Sequence, residues 1–231
     1  NFPADKGTPM HIVFRNASYD DSDTDMWFVF TESHIMTYLN ERQEWKESAT
    51  VAVESTLDDI WSTAWNGPIL LATNGKAMYQ LLLNNEGIPD STPLFGRWYA
   101  NAEGEMYKVF TAIGTFKSHI IGLGTKDNPY RVWWSSPMGA YDGVGVDPAP
   151  NQFDYMDDDK DAGDFELNET RGKIIGGAQL GDGFMVYKED CAYVMNYIGQ
   201  PFIFGFKVMA KDVGLLNKRA LAVYDGGHVF V

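Results

Sequence analysis

Cysteine is almost missing from this chain, since Cys191 stands alone among 231 residues. No intrachain disulfide can form, so the fold must be held by packing or by assembly. Lying inside an apolar run, Cys191 reads as a small buried residue. Histidine is scarce as well. His11, His34, His119 and His228 are the four, each at an expected strand end or turn, and no nucleophilic Ser or Cys motif accompanies them. Basic residues are outnumbered, with 18 Lys and Arg against 32 Asp and Glu and a formal net charge of -14. That balance argues against direct phosphate binding, which needs a basic surface, and suits a surface that must not adhere to DNA. No apolar run approaches the roughly 18 residues of a membrane helix, so no membrane span is expected. The first residues also lack the basic start and apolar stretch of a signal peptide.

What the chain has in quantity is aromatic residues, 14% of the total, and 23 glycines. Both suit many short strands joined by tight turns. Residues 173–206 show the pattern most fully. Three runs rich in Val, Ile, Tyr and Phe (173–179, 184–188 and 191–197) are separated by Gly181, Asp182 and Gly183 and by Glu189 and Asp190, which predicts a meander. Similar hairpins are expected at 27–39, at 68–83 and at 118–135, and a last one begins at 220 and ends at 231. In the second of these, Asn74-Gly75 between two apolar runs predicts a two-residue type I′ turn. A further strand is expected at 106–113, whereas residues 84–105 read as loop. Between the first two hairpins, Leu57, Ile60, Trp61, Ala64 and Trp65 recur at helical spacing behind Ser55 and Thr56 as caps, which predicts two turns of helix.

The hairpins start near Trp27, Ile69, His119, Phe184 and Ala220, in steps of about 42, 50, 65 and 36 residues. A four-stranded propeller blade takes about 40–50 residues. The expectation is therefore an all-β fold, a β-propeller-like array of antiparallel hairpins or blades. Residues 1–25 serve as a connecting segment with one strand at 11–15, and 26–231 form an incomplete propeller domain. The long third step holds an acidic loop insertion at about 137–171, in which residues 154–169 include eight acidic side chains and one lysine. The absence of an initiator Met and a last hairpin ending at residue 231 point to a piece of a longer chain.

Most chemical motifs dissolve on inspection. Asp157, Asp159 and Asp161 match the one-three-five spacing of a calcium loop, but Ala162 stands where its glycine belongs and Asn168 where its bidentate Glu belongs; a solvated acidic loop is the preferred reading. Gly122 and Gly124, and Gly176, Gly177 and Gly183, resemble phosphate loops without a following helix and are read as turn glycines. No catalytic residue and no cofactor is assigned. Trp133 with Trp134, and Trp61 with Trp65, are the indoles that could stack on a sugar; adjacent tryptophans on a strand point to opposite faces, so one indole of Trp133 and Trp134 is expected to be partly exposed, and core or interface packing is the preferred reading of all four. The sequons at Asn16 and Asn168 carry little weight without a secretory signal.

Taken in order, the segments ILLATNGKAMYQ (69–80), NPYRVWWSSP (128–137), DAGDFEL (161–167), GKIIGGAQLGDGFMVYKEDCAYVMNYIGQPFIF (172–204) and ALAVYDGGHVFV (220–231) resemble the propeller region of tail nozzle proteins of short-tailed bacteriophages, also called tail tubular protein B or stabilisation proteins. The resemblance covers the chain from about Trp27 onward and lies in the succession of segments. It implies a non-enzymatic structural virion protein of the phage tail, six copies of which form a ring below the head-to-tail adaptor and beside tail fibre or spike proteins. Genomic DNA would pass through the ring without specific binding, and the family protein is longer than this chain. Two alternatives stand beside it: a carbohydrate-binding or glycoside-hydrolysing propeller with exposed tryptophans and a carboxylate pair, and a β-rich interaction module of another large assembly.

Overall fold

Short runs of branched and aromatic residues closed by Gly, Asn or Asp favour pleated strands over helices. In the computed structural model, which describes residues 1–15, 25–40, 43–51, 53–56, 58–67, 69–82, 94–97, 108–137 and 161–231, they form four antiparallel four-stranded meanders and one two-stranded hairpin. The first blade is β1 (His11–Arg15), β2 (Met26–Phe30), β3 (His34–Leu39) and β4 (Glu44–Thr50). The second is β5 (Ser62–Asn66), β6 (Ile69–Thr73), β7 (Met78–Leu82) and β8 (Leu94–Arg97). The third is β9 (Phe110–Phe116), β10 (His119–Thr125), β11 (Arg131–Trp134) and β12 (Gly163–Glu166). The fourth is β13 (Ile174–Leu180), β14 (Gly183–Lys188), β15 (Cys191–Gly199) and β16 (Ile203–Lys211), and the hairpin is β17 (Leu221–Tyr224) with β18 (Gly227–Phe230). The fold is all-β and propeller-like, each sheet a meander in chain order with its first strand innermost. No α-helix occurs among the described residues, and no helix there is long and apolar enough to cross a membrane.

Both faces of an inner blade are covered by its neighbours, and the core is made of those contacts. Phe30 meets Trp61 at 5.0 Å between ring centroids and Trp61 meets Tyr79 at 5.9 Å, while the Trp61 indole N–H donates to Thr31 O at 3.2 Å. These tie blade 1 to blade 2. Phe110 and Trp133, 5.4 Å apart, join the same cluster from blade 3. On the other side of blade 3, Phe116, Trp134 and Phe165 meet Phe184, Phe204 and Phe206 of blade 4, with Phe165 and Phe206 stacked at 4.8 Å. The hairpin packs Phe230 on Tyr187 of blade 4 at 4.7 Å.

Several expectations are corrected by this packing. Of the helix expected from Leu57 to Trp65, Leu57 lies outside the described residues, and the rest is a single turn followed by β5. Asp59 Oδ2 accepts from Thr56 N and Thr56 Oγ1, so the cap signal closes one turn. Ser62–Asn66 then pairs with Ile69–Thr73, because tertiary partners on the inner sheet edge outweigh a five-residue periodicity. Asn74 and Gly75 belong to a four-residue connection. Thr73 pairs with Met78, Gly75 alone takes positive φ at 79°, and the Asn74 side chain accepts from Lys76 N at 2.9 Å and Ala77 N at 2.8 Å. Within the stretch read as loop at 84–105, Leu94–Arg97 is a strand. The meander at 173–206 gains a fourth strand, Ile203–Lys211, and the strand at 11–15 is the first strand of blade 1.

Trp133 and Trp134 are both buried, at 3% and 5% exposure. Alternation does send them to opposite faces of β11, but one face packs on blade 2 and the other on blade 4, so neither indole reaches solvent. Gly122, Gly124, Gly176, Gly177 and Gly183 are all strand residues, not turn residues. A Cβ on Gly122 would lie 2.5 Å from the Phe110 ring. The missing side chain is what lets that ring lie across the strand.

Candidate functional site

The innermost strands β1, β5, β9 and β13 converge on one axis. Hydroxyls stitch them: Ser62 Oγ accepts from Ile113 N at 3.1 Å, and Thr63 Oγ1 lies 2.9 Å from His11 Nε2. Around this axis is a cavity of about 160 Å³ lined by His11, Ser62, Thr63, Ala112, Gly176 and Lys218, among others. Lys218 comes from the 3-10 turn Lys218–Ala220 ahead of the hairpin, where the Asn217 side chain accepts from Arg219 N. Its ammonium donates to Ile60 O at 2.9 Å and to Thr111 O, joining blades 2 and 3 from 158 and 107 residues away. Arg219 donates to Met10 O of the segment leading into blade 1. His228 closes onto blade 4: the network is satisfied when Nε2 donates to Gln179 O at 2.9 Å and Nδ1 accepts from Tyr187 O–H at 2.8 Å. The short closing segment thus fastens every blade.

Burial lowers the Lys218 ammonium to about 8, with Asp59 pulling weakly the other way. His11 is also lowered, by burial and by Arg219. None of the side chains lining the cavity is Asp or Glu, and Asp59 is engaged by Lys76 at 2.5 Å. Lys218 itself is partly buried, and a fully buried lysine elsewhere is satisfied differently. Lys188 is fully buried, donates to Leu167 O, Thr170 O and Thr170 Oγ1 at 2.8, 2.7 and 2.9 Å, and lies over the Tyr130 and Tyr193 rings. Thr170 also contacts Cys191 Sγ and Tyr193 Oη at 3.0 Å. Cys191 is buried as expected, and burial pushes its thiol up.

The remaining sequence candidates are dispersed. Asp157 and Asp159 lie outside the described residues, as do Asn16 and most of the acidic loop. Asp161 accepts from Gln200 Nε2 at 2.9 Å. Among the described residues no group of three His, Cys, Asp or Glu side chains is placed to hold a metal ion. His119 Nδ1 donates to Ser135 O and is lowered by burial, and His34 Nδ1 lies 2.8 Å from Ser33 Oγ. A shallow pocket of about 520 Å³ between blades 2 and 3 is rimmed by Lys76, Lys108, Lys126 and Asp127.

The two end faces of the blade array differ from the inner ones. On blade 1, the face turned from blade 2 carries Ile12, Phe14 and Trp27 exposed, with the Phe14 and Trp27 rings in tilted contact at 4.6 Å between centroids. Phe2 packs on Trp45 and Lys6 binds Glu47 at 2.9 Å over its outer part, and Val29 and Met36 in its middle are buried, so among the described residues the exposed patch is confined to Ile12, Phe14 and Trp27. On the hairpin, the face turned from blade 4 carries Tyr224 and Val229 exposed, beside Leu216 and Val231. A third apolar feature is the tip of the β15–β16 hairpin. It runs beyond β14, whose pairing ends at Gly183 and Asn196, and exposes Tyr197, Ile198 and Phe202. No motif announced the Lys218 site; its one signal was a Lys-Arg pair just before the last hairpin.

Fold and site together define a β-propeller-like protein whose axis is pinned by a lysine and whose end faces are apolar. No family model matches the chain, and no curated protein matches it. Among solved structures it is similar to a chain in one titled "Crystal Structure of Mitotic Checkpoint Complex", at 10% identity and a TM-score of 0.38, covering 91% of this chain and 72% of that one. The propeller-like description rests on the blade topology itself.

Proposed function

We propose that this protein is a structural, non-enzymatic component of the tail nozzle of a short-tailed phage, packing beside copies of itself in a ring around the channel through which the genome leaves. The observation that carries the reading is the pair of apolar end faces, Ile12, Phe14 and Trp27 on blade 1 and Tyr224 and Val229 on the last hairpin. Exposed aromatic clusters of this kind mark contact surfaces. Two different patches on one molecule suit head-to-tail contacts, and these close into a ring when the rotation permits. The net charge of -14 suits a wall that DNA must slide past. In the carbohydrate alternative, the indole platform comes from Trp133 and Trp134 or from Trp61 and Trp65; Trp133, Trp134 and Trp61 are buried and Trp65 is half-buried.

Electron microscopy and native mass measurement of the protein at micromolar concentration test the proposal. Six-fold rings with an open centre are expected, and Trp27→Glu should disperse them while leaving the far-ultraviolet circular dichroism unchanged. A monomer that stays monomeric as concentration rises would overturn the ring.

A further inference from the structure

Lys218 has three N–H donors and two acceptors. An ammonium donates three hydrogen bonds, and here two go to Ile60 O and Thr111 O. Lys188 shows what completion looks like in the same molecule, with three oxygen acceptors and two tyrosine rings over its charge. The Lys218 cation is instead beside a cavity of about 160 Å³ with no acidic side chain in its lining. Among the described residues, Arg219 adds positive charge near His11, and Asp59, whose charge favours the Lys218 cation, is itself held by Lys76 at 2.5 Å. A partly buried ammonium with two carbonyl acceptors and no ion pair has one N–H still to satisfy, and an ion of opposite sign can take it. In a protein of net charge -14, the axis is therefore a local positive site.

The remaining lining is mixed: Trp61, Ala112, Leu215 and Leu221 are apolar, and Ser62, Thr63 and His11 are polar. With the proton on His11 Nε2, that nitrogen donates to Thr63 Oγ1, 2.9 Å away, and leaves the Thr63 hydroxyl proton for another acceptor. β13 is the inner edge of its sheet, with β14 on one side only, so some of its backbone N–H groups are turned to the axis. Gly176 has no side chain to fill the space; a Cβ there would stand 3.9 Å from Lys218 Cγ. We propose that the axial cavity is a binding site for a small oxyanion, of the size and charge of inorganic phosphate, held by the Lys218 ammonium and the Thr63 hydroxyl. The bound ion would act as a central fastener between the closing segment and the inner strands. This inference is independent of ring assembly.

The test titrates the whole protein with inorganic phosphate against sodium chloride at matched ionic strength, reading the thermal midpoint and the Lys218 side-chain NMR signal. A saturable rise in midpoint with phosphate, together with an upward shift of the Lys218 titration, is expected. Lys218→Met should abolish the phosphate response. Equal responses to phosphate and chloride, or a phosphate response that survives in Lys218→Met, would overturn the site. If the variant fails to fold, the NMR titration of the unaltered protein decides alone: a Lys218 signal that titrates identically in both salts refutes it.

Discussion

Replacing Gly122 by alanine sets a methyl group against the Phe110 ring, and the outcome can be worked from the geometry. The new Cβ would stand 2.5, 2.5 and 2.6 Å from three ring carbons, against 3.4–4 Å for ordinary contact. The ring must retreat by about 1 Å, in line with those distances, into a core where Phe110 is 1% exposed and packs on Trp133. Overpacking of this kind costs about 1–3 kcal/mol. Alanine restricts the unfolded backbone and offsets about 0.5–1 kcal/mol of that. The net expectation is a loss of up to about 2.5 kcal/mol, or up to about 10 °C in thermal midpoint for a protein of this size. The decisive comparison is a double-mutant cycle by urea denaturation. Phe110→Ala alone should cost about 3–5 kcal/mol, and in that background Gly122→Ala should become neutral or slightly stabilising, since the methyl then enters vacated space. If Gly122→Ala costs the same in both backgrounds, or stabilises the unaltered protein, the ring contact is not the reason for glycine at this position.

Three further outcomes are expected. Lys218 loses its proton near pH 8 in the folded protein and at its ordinary value of 10.5 when unfolded, so the unfolded state binds more protons across that window. Its contribution to stability therefore rises with pH there, by about 3 kcal/mol in all. Burial raises Tyr187 and Tyr193 and makes their effect opposite above about pH 10, so the quantity to follow is wild type minus Lys218→Met by urea denaturation from pH 7 to 10; a flat difference contradicts the assignment. Lys188→Met leaves Leu167 O and Thr170 O without their donor and should cost about 2–3 kcal/mol in chemical denaturation. Cys191, buried with its thiol pushed up, should react with a thiol-specific reagent orders of magnitude more slowly in native buffer than in denaturant; equal rates would mean the β14–β15 region opens readily.

Hairpin spacing was legible because a strand's apolar and turn residues are local in sequence. His34–Leu39 was read at its observed bounds, and the other hairpins fell near theirs. The errors have local causes as well. At Ser62–Asn66 the apolar residues fit a helix and a strand equally over so short a window, and pairing with Ile69–Thr73 decided between them. At residue 74 the Asn-Gly signal was present, but the Asn74 side chain caps two backbone N–H groups of a longer connection and donates to Val53 O and Ser55 Oγ of the neighbouring loop. The axial site was invisible because its groups are brought together from residues 11, 63, 176 and 218, with no spacing to betray them.

By itself the sequence determined that this protein is built of repeated short antiparallel strands, without a disulfide and with a strongly negative surface, because those properties follow from composition and from period-two patterning. Only the tertiary structure decided which faces are covered. Alternation places Trp133 and Trp134 on opposite sides of a strand, and whether a side is wet depends on the neighbouring blade. Blade 3 has a neighbouring blade on both sides and buries both indoles, whereas among the described residues blade 1 has a neighbouring blade on a single side and leaves Trp27 and Phe14 exposed. The same closure of the array brings Lys218 across the axis to carbonyls of two other blades.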